Sequence, residues 1–404
     1  MFISEIRIRN FRSHRDTVAK LHPITVFVGH GSSGKSNFFD ALVNLSIVLR
    51  GRVGDAFSPY PWGTFASAKS WGTSSIATIG FEATVFPKSP HTGTPYKYAF
   101  QYKQAQVGAD EPVFQITKEV LSKGSDVLFD RGDIDSCKLN GIELMADDRS
   151  LLSALRMAKT SDPELAELAR GISRIGKYRL EPNLLSRPSH IPPPAENETT
   201  GTGMWLDYRG ENLASVLYQL SETDKTRLEA VVAAVKSVFP EFAGFSFNFI
   251  GEGKVGFSVK FSHHKEPVLA PLLSHGMLLF IGLMTLLHTP TSPDIILLEE
   301  PENGLDAKAI RAFYAKLVAV IGNSPQSDKQ ILLSSHSPFV LCEAWNGASR
   351  SFVYHITESN GQSKVKSVED VMQTFSGALQ SDGTLSIRLA ERIMSERWQA
   401  EGGS

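Results

Sequence analysis

The sequence predicts an α/β fold with a mixed core sheet, an antiparallel β layer and a helical insertion subdomain. Three observations support this prediction. Residues 24–28 form an apolar, β-branched run that leads through a glycine-rich loop into a segment with apolar residues at helical spacing. Two later apolar runs, 294–298 and 331–333, have the length of buried strands. Residues 76–86 and 96–103 instead alternate between apolar and polar side chains, which is typical of an antiparallel hairpin.

The composition is that of an ordinary globular protein. The 404 residues suffice for about two or three domains, with 42% hydrophobic and 21% charged residues. A formal net charge of -2 gives no overall basic field to attract nucleic acid. The two cysteines, Cys137 and Cys342, cannot form a disulfide framework and are predicted to be buried in a reducing compartment. We recognise no signal peptide or membrane-spanning run, so we expect a cytoplasmic chain without membrane insertion.

The loop after residue 28 matches G-x-x-x-x-G-K-[ST], the phosphate-binding P-loop. Its residues are Gly29, His30, Gly31, Ser32, Ser33, Gly34, Lys35 and Ser36. The glycines let backbone N–H groups close around phosphate oxygens, and the N-terminus of the following helix adds partial positive charge. We therefore expect Lys35 to reach the β- and γ-phosphates of a nucleotide and Ser36 to hold Mg2+ with its hydroxyl.

The apolar run 294–298 delivers two acids, Glu299 and Glu300, to its carboxyl end. This is the Walker B arrangement, in which the first acid orients Mg2+ and the second can polarise the attacking water. The alternative is a buried strand followed by a solvated acidic turn. The P-loop earlier in the chain favours the functional interpretation.

Three further polar residues stand at predicted element ends. Ser274 precedes a very apolar helix and is predicted to be its N-cap, where its hydroxyl and the N–H of Gly276 also suit a γ-phosphate. His336 ends an apolar strand after Walker B, where a γ-phosphate sensor is expected. Asp306 is predicted to cap a helix starting at residue 307, or to lie across a dimer interface, and both can hold.

This set of motifs resembles the ATP-binding-cassette (ABC) class of P-loop ATPases. More narrowly, it resembles the SMC/RecF/OLD-like branch of AAA-type ATPases, as a single head without a long coiled coil or a TOPRIM nuclease domain. The resemblance covers nearly the whole chain. It rests on the segments 6–13, 29–37, 273–276, 298–305 and 334–338, with further likeness at 178–182, 210–213 and 239–242.

The resemblance implies a homodimer in which two heads sandwich two ATPs, with Mg2+ as the cofactor. It also implies the role of each site residue. The catalytic residues are the base Glu300 and the switch histidine His336, and Ser36 and Glu299 hold Mg2+. The ATP of the same subunit is contacted by residues 29–36, Asn37 and Arg12. The ATP of the second subunit is contacted by Ser274 and Gly276, beside Asp306.

Several positions depart from the family pattern. Gly31 replaces the usual asparagine, so one side chain that braces the loop is missing. Glu299 stands where most ABC-type ATPases have aspartate, and the signature at Ser274 lacks the glutamine of transporter cassettes. Gln101 and Gln104 are near the expected order of a Q-loop glutamine, or are hairpin residues.

We divide the chain into an N-terminal lobe, an insertion subdomain with a Pro-rich loop, and a C-terminal lobe. These are residues 1–149, residues 150–268 with the loop at 187–202, and residues 269–404. The span 337–404 has no DxD motif and is too short for an added nuclease domain, and Asp133-Ile134-Asp135 is interpreted as a turn. We therefore predict no nuclease activity in this chain.

The first functional hypothesis is an ATP-driven conformational switch. ATP closes the dimer, hydrolysis opens it, and a separate effector protein reads the state, as relatives with a lone head do in phage defence or DNA maintenance. The alternative is a RecF-like DNA clamp in recombination repair, whose basic groove would use Arg7, Arg9, Arg12 and Arg15. We favour a solvated edge strand for Arg7 and Arg9, which leaves DNA binding as the second hypothesis.

Two other hypotheses have less support. The ATPase subunit of a transporter is disfavoured by the signature and by the long insertion between residues 66 and 269. An ATP-gated scaffold with little turnover is disfavoured by Glu300, which a pure binder does not need. No base-reading motif distinguishes ATP from GTP.

Overall fold

The computed structural model describes residues 1–395 with thirteen gaps. The gaps are 58–62, 71–77, 88–92, 107–112, 132–135, 140–141, 146–148, 158–161, 192–204, 290–292, 323–328, 347–351 and 374–382. The helices are α1 Lys35–Val48, α2 Phe65–Ala68, α3 Leu151–Met157, α4 Pro163–Ile172, α5 Pro182–Leu185, α6 Leu213–Thr223, α7 Lys225–Val238, α8 His275–His288, α9 Ala307–Leu317, α10 Pro338–Asn346, α11 Val368–Gln373 and α12 Ile387–Ser395. The strands are β1 Phe2–Phe11, β2 His14–Lys20, β3 Ile24–Val28, β4 Ile79–Phe86, β5 Tyr96–Gln106, β6 Val113–Lys123, β7 Asp126–Arg131, β8 Ser136–Leu139, β9 Ile142–Met145, β10 Ile175–Tyr178, β11 Ser189–His190, β12 Phe242–Ile250, β13 Lys254–Phe261, β14 Val268–Leu269, β15 Ile295–Glu299, β16 Gln330–Ser335, β17 Phe352–Ser359 and β18 Gln362–Ser367.

The core sheet has six strands in the order β10-β15-β16-β3-β17-β18. The first five run parallel, and β18 joins antiparallel at the edge. Because successive residues of a strand point to opposite faces, an apolar strand can supply two cores. On β15, Ile296 and Leu298 belong to one core, whereas Ile295 and Leu297 belong to the other. The predicted mixed core sheet is therefore confirmed.

A second six-stranded sheet is antiparallel throughout, in the order β2-β1-β4-β5-β6-β7. Helix α1 lies between the two sheets. Its Phe38, Leu42 and Leu45 are fully buried and share one core with Ile6 of β1 and Leu297 of β15. The burial of each such side chain contributes about 1.5–3 kcal/mol to the free energy of folding. This packing fixes the first turn of α1, which follows the glycine-rich loop.

Helices cover the opposite face of the core sheet. In α8, burial is unbroken from Met277 to Leu287, as expected for a helix that is packed on every side. Its neighbours are α5, α6, α7 and α9. This packing fixes the first turn of α8, where Ser274 precedes the helix.

The insertion contains a second hairpin. Strands β12 and β13 pair antiparallel around a turn at residues 251–253, with positive φ at Glu252 (66°) and Gly253 (72°). Strands β11 and β14 complete this small sheet, against which α6 packs. Two helices, α6 and α7, precede this hairpin in the chain.

The first strand differs from its prediction in one respect. Strand β1 is not an edge strand, because β2 and β4 flank it on both sides. Its arginines find acids on these neighbours: Arg7 Nε lies 2.6 Å from Asp16 Oδ1 on β2, and Arg9 Nη2 lies 3.1 Å from Glu82 Oε1 on β4. Cross-strand pairs of opposite charge stabilise interior strands of a sheet with one exposed face.

The segment that follows residue 150 first returns to the core. Leu152 of α3 and Leu168 of α4 are buried in the core around α1, and β10 joins the core sheet. Cys342 is a buried free thiol, as predicted, whereas the side chain of Cys137 lies outside the described part. The longest helices that the structure describes, α1, α7 and α8, have 14 residues each. Over the described ranges, no helix combines the length and apolarity needed to cross a membrane.

Candidate functional site

The carboxyl ends of four parallel strands meet at one edge of the core sheet. In the register of the sheet, Val28 of β3 lies opposite Ser335 of β16, and Ser334 lies opposite Glu299 of β15. Strand β10 ends beside β15 at Tyr178. This edge is where ligands bind in parallel α/β sheets. The structure therefore brings together the P-loop, the two acids and the histidine that the sequence singled out.

The lysine of the P-loop binds to the backbone of the loop itself. Lys35 Nζ donates to the carbonyl oxygens of Gly29 and His30, each at 2.7 Å. Burial lowers the pKa of Lys35, although three nearby glutamates oppose this shift. Gly34 has a φ of 103°, in the left-handed region that favours glycine. At Gly31 an added Cβ would meet nothing within 4 Å, so the loop has open space at this position.

Two other side chains brace the P-loop from outside. Ser363 of β18 donates from Oγ to the Ser33 carbonyl at 2.7 Å, and an added Cβ at Gly34 would collide with this hydroxyl. His14 of β2 lies with Nε2 3.0 Å from the Gly34 carbonyl and Nδ1 3.0 Å from Thr17 Oγ1. Because a carbonyl only accepts, Nε2 carries the proton. The sequence analysis did not find these braces, which join distant parts of the chain.

Acid is expected to destabilise the protein through His14. Burial lowers the pKa of His14 from 6.5 to about 4, so the unfolded chain binds a proton where the folded chain does not. Stability is therefore lost as the pH falls from about 6.5 towards about 4, by about 2 kcal/mol at about pH 5. His14→Gln does not titrate and keeps an N–H for Gly34. In urea unfolding it should lose about 2 kcal/mol less than the wild type between about pH 7 and about pH 5.

The comparison isolates His14 because other titrating groups remain in both proteins. Burial also lowers the pKa of His355 to about 4, and that group contributes equally to wild type and variant. Equal losses of unfolding free energy in the two proteins would contradict the assignment to His14.

Glu299, the last residue of β15, is only 5% exposed. Tyr208 Oη donates to its Oε2 at 3.3 Å, and Lys177 Nζ lies 3.1 Å from its Oε1. The lysine contact lacks hydrogen-bond geometry, so Oε1 is buried with a charge partner but no hydrogen-bond donor. This free carboxylate oxygen fits a Mg2+-bound water, and the exposed Ser36 fits the ion itself.

Lys177 stays charged in this buried place. Burial lowers its pKa, but the charges of Asp40 and Glu299 raise it by more, and the pKa of Lys177 lies above its ordinary value. The sequence analysis assigned no role to Lys177 or to Asp40. The sequence did contain a partial indication of Lys177, because this residue directly precedes the segment 178–182 that resembles the family.

Glu300 and His336 form a contacting pair. His336 Nδ1 lies 3.1 Å from Glu300 Oε1, and a hydrogen bond there requires the proton on Nδ1. Asn303 Nδ2 donates to Glu300 Oε2 at 2.9 Å, and Arg179 Nη2 lies 3.7 Å from that oxygen. Glu300 has a left-handed φ of 47°, held by its N–H donating to the Ser334 carbonyl at 2.9 Å. Such backbone strain persists where surrounding contacts fix it, and here it aims the carboxylate.

A third acid, Glu302, supports this pair. Glu302 is buried, and its Oε1 accepts from Ser335 Oγ at 2.6 Å and from the backbone N–H of His336 at 3.3 Å. Burial raises the pKa of Glu302. Glu302 lies within the segment 298–305 that resembles the family, but the sequence alone assigned it no role. Its contacts show that it fixes the backbone that carries His336.

Arg12 ties the β1–β2 turn to helix α1. Its Nη1 lies 3.0 Å from Asn37 Oδ1 and 2.8 Å from Asp40 Oδ2. Asn37 Nδ2 donates to Ser13 Oγ at 2.8 Å. Arg12 therefore lies beside the first turns of α1, to which Asn37 belongs, and the contact of both residues with a nucleotide stays a prediction.

The signature residues lie at the start of two helices. Ser274 caps α8 and Asp306 caps α9, each accepting from the N–H three residues later, at 3.3 Å and 2.7 Å. Both predicted caps are confirmed. The Ser274 side chain is exposed, and an added Cβ at Gly276 would lie 3.0 Å from the carbonyl of Gly304. The signature turn thus packs closely on the turn after Walker B.

The remaining candidates lie elsewhere. Gln101 and Gln104 are on β5 of the antiparallel sheet, and a Cβ built at Gly80 of β4 would lie 3.0 Å from Gln101 Cγ. This placement favours hairpin residues over a Q-loop. The motif at 133–135 lies outside the described residues, as does 192–202 of the Pro-rich loop.

Three solved structures to which the chain is similar are SMC head domains. The SMC head domain from Thermotoga maritima is 13% identical, with 91% of this chain and 99% of that chain covered and a TM-score of 0.45. An SmcHead bound to the C-winged helix domain of ScpA is 15% identical, with 92% and 100% covered and a TM-score of 0.48. An Smc head domain with an extended coiled coil, bound to the C-terminal domain of ScpA derived from Pyrococcus furiosus, is 14% identical, with 93% and 98% covered and a TM-score of 0.45.

A family model gives the more direct comparison. The model described as "AAA domain, putative AbiEii toxin, Type IV TA system" matches residues 24–342, which run from the P-loop strand past His336. A comparison with curated proteins finds no match. A P-loop whose helix lies between a mixed core sheet and an antiparallel layer gives the fold of a P-loop NTPase with an ABC-type head, as predicted. The chain belongs to the AAA-domain family described as putative AbiEii toxin of a type IV TA system.

Proposed function

We propose that this protein is an ATPase that binds ATP with Mg2+ at the P-loop, hydrolyses the ATP and works as a dimeric switch. The contact of 3.1 Å between Glu300 and His336, at the sheet edge that carries Lys35, is the observation that supports it best. A protein that only binds nucleotide needs the lysine. A carboxylate held by a histidine and an asparagine is in addition equipped to take a proton from water.

The side chains suggest how hydrolysis proceeds. Lys35 leaves its two loop carbonyls and binds the β- and γ-phosphate oxygens. Glu300 accepts a proton from water as the water oxygen bonds to the γ-phosphorus and the bond to the β–γ bridging oxygen breaks. His336 holds the Glu300 carboxylate in place through Nδ1. Ser36 and, through water, Glu299 would hold Mg2+, whose charge offsets that of the phosphate oxygens when it is bound.

The signature motif supports closure by a second copy. Ser274 Oγ accepts one hydrogen bond from its own helix, which leaves its O–H free to donate to a phosphate oxygen. The exposed N-terminus of α8 also favours an anion. We infer that each Ser274, with Gly276 and Asp306 nearby, meets the ATP of the other subunit.

A separate effector is the proposed reader of this switch. The family description names a toxin and a type IV TA system, which supports a role in defence under the control of a partner protein. The DNA clamp gains no such support, because Arg7 and Arg9 are paired with Asp16 and Glu82. We therefore keep the switch in phage defence or DNA maintenance as the proposed role.

Lys35→Ala tests the nucleotide site directly. Loss of a charge-assisted contact with phosphate is expected to weaken ATP binding by about 1.5–3 kcal/mol, roughly 10- to 150-fold. Fluorescence titration with mant-ATP measures this change, and phosphate release measures the accompanying loss of turnover. Lys308→Ala is the matched control, because Lys308 also donates to a backbone carbonyl, that of Val238, at 2.9 Å. Wild-type turnover in Lys35→Ala would refute the proposed ATPase site.

A further inference from the structure

A chain of alternating charges links four elements behind the nucleotide site. Arg12 Nη1 lies 2.8 Å from Asp40 Oδ2, Lys177 Nζ donates to Asp40 Oδ1 at 2.7 Å, and the same ammonium lies 3.1 Å from Glu299 Oε1. The elements are the β1–β2 turn, α1, β10 and β15. The order Arg12, Asp40, Lys177, Glu299 therefore ends on the acid of the proposed Mg2+ site.

This chain is shielded from water. The side chains of Asp40, Lys177 and Glu299 are 7%, 15% and 4% exposed. Charges that are buried in this way interact far more strongly than charges on the surface, and salt screens them less. Lys177 is further enclosed by the Tyr208 ring, whose centroid lies 5.9 Å from Nζ.

Lys177 interacts differently with its two acidic neighbours, Asp40 and Glu299. Lys177 donates a hydrogen bond to Asp40, which also forms an ion pair with Arg12. Glu299 is attracted to the charge of Lys177 but accepts no hydrogen bond from it. Glu299 Oε1 thus keeps its lone pairs free for a ligand, while the nearby ammonium repels any second cation. In a nucleotide site, phosphate oxygens supply the extra negative charge that can overcome such repulsion.

We propose that Lys177 is a built-in cation that holds the place of the metal beside Glu299, so that a divalent cation enters the site only together with ATP. Lys177 is then a positioning residue that couples metal uptake to nucleotide binding. This proposal rests on the proposed role of Glu299 as the Mg2+-orienting acid. It adds a residue that the sequence motifs do not include.

The test is a titration of the full chain with Mn2+ in the absence of nucleotide, in which electron paramagnetic resonance measures how much Mn2+ is bound. Lys177→Met removes the charge at similar volume and leaves Glu299 without a cation, so Mn2+ affinity should rise by roughly tenfold or more. Lys177→Arg keeps the charge and should bind Mn2+ as weakly as the wild type. The double variant Lys177→Met with Glu299→Gln removes the ligand and should lose the gain.

A purely structural lysine would give other results. Unchanged or weaker Mn2+ binding in Lys177→Met, or a gain that survives Glu299→Gln, would overturn the proposal. Lys177→Gln, which can still donate to Asp40, gives the same comparison if the methionine variant does not fold. A mant-ATP titration of the wild type is read separately, because failure to bind ATP would reject the proposed function whereas the Mn2+ result needs no nucleotide.

Discussion

Glu300→Gln is expected to reduce ATP turnover by roughly 100-fold or more while ATP still binds. The glutamine keeps the size of the side chain and can accept from Asn303 Nδ2, which lies 2.9 Å from Glu300 Oε2. It cannot take a proton from the attacking water at neutral pH, because an amide is not a base. Phosphate release at saturating ATP measures turnover, and mant-ATP fluorescence measures binding.

The same variant should make assembly visible. Because bound ATP is not consumed, closed dimers accumulate, and light scattering should show a doubling of mass on addition of ATP and Mg2+. Glu252→Gln is the matched control, since the Glu252 side chain is 85% exposed in the β12–β13 turn and should leave turnover unchanged. Full turnover in Glu300→Gln would exclude Glu300 as the base, and an unchanged mass would contradict the ATP-driven switch.

The parts of the site that depend on neighbouring residues could be predicted from the sequence. Strand β3 occupies residues 24–28, as expected, and the Walker B strand β15 carries Glu299 at its carboxyl end, also as expected. The caps at Ser274 and Asp306 were also predicted, because a cap is set by residues within one helical turn. Local periodicity and capping thus give the order of the elements and the main motifs.

The contacts between distant segments could not be predicted in the same way. Lys177 meets Asp40 and Glu299 only because β10 joins the core sheet beside β15, a pairing that no local pattern indicates. Ser363 reaches Ser33 because β17 pairs with the distant strand β3 and β18 then pairs with β17. Strand β1 was expected at an edge because its arginines looked solvated, and its acidic partners on both flanking strands became visible only in the fold.

Ser274→Arg is expected to abolish the mass increase that ATP causes in the Glu300→Gln background. In an otherwise wild-type chain it should lower turnover by roughly 100-fold or more, as removal of a phosphate-binding donor does elsewhere. The reason is that a long side chain at the start of α8 removes the hydroxyl and fills the space that the second subunit's ATP would occupy. Ser386→Arg is the matched control, since Ser386 Oγ also accepts from a helix N–H, that of Leu389, at 3.2 Å.

Ser274→Asp separates the capping role from the contact with nucleotide. Aspartate caps as well as serine and suits a helix N-terminus, so the variant should be at least as stable as the wild type. Its carboxylate nevertheless repels a γ-phosphate, so ATP-induced dimers and turnover should both be lost. If the contact is made across the dimer, mixing Ser274→Asp with Lys35→Ala should restore part of the turnover, because each mixed dimer contains one intact P-loop facing one intact Ser274. Wild-type turnover in Ser274→Asp alone would show that Ser274 only caps α8 and that the two heads do not share their ATP.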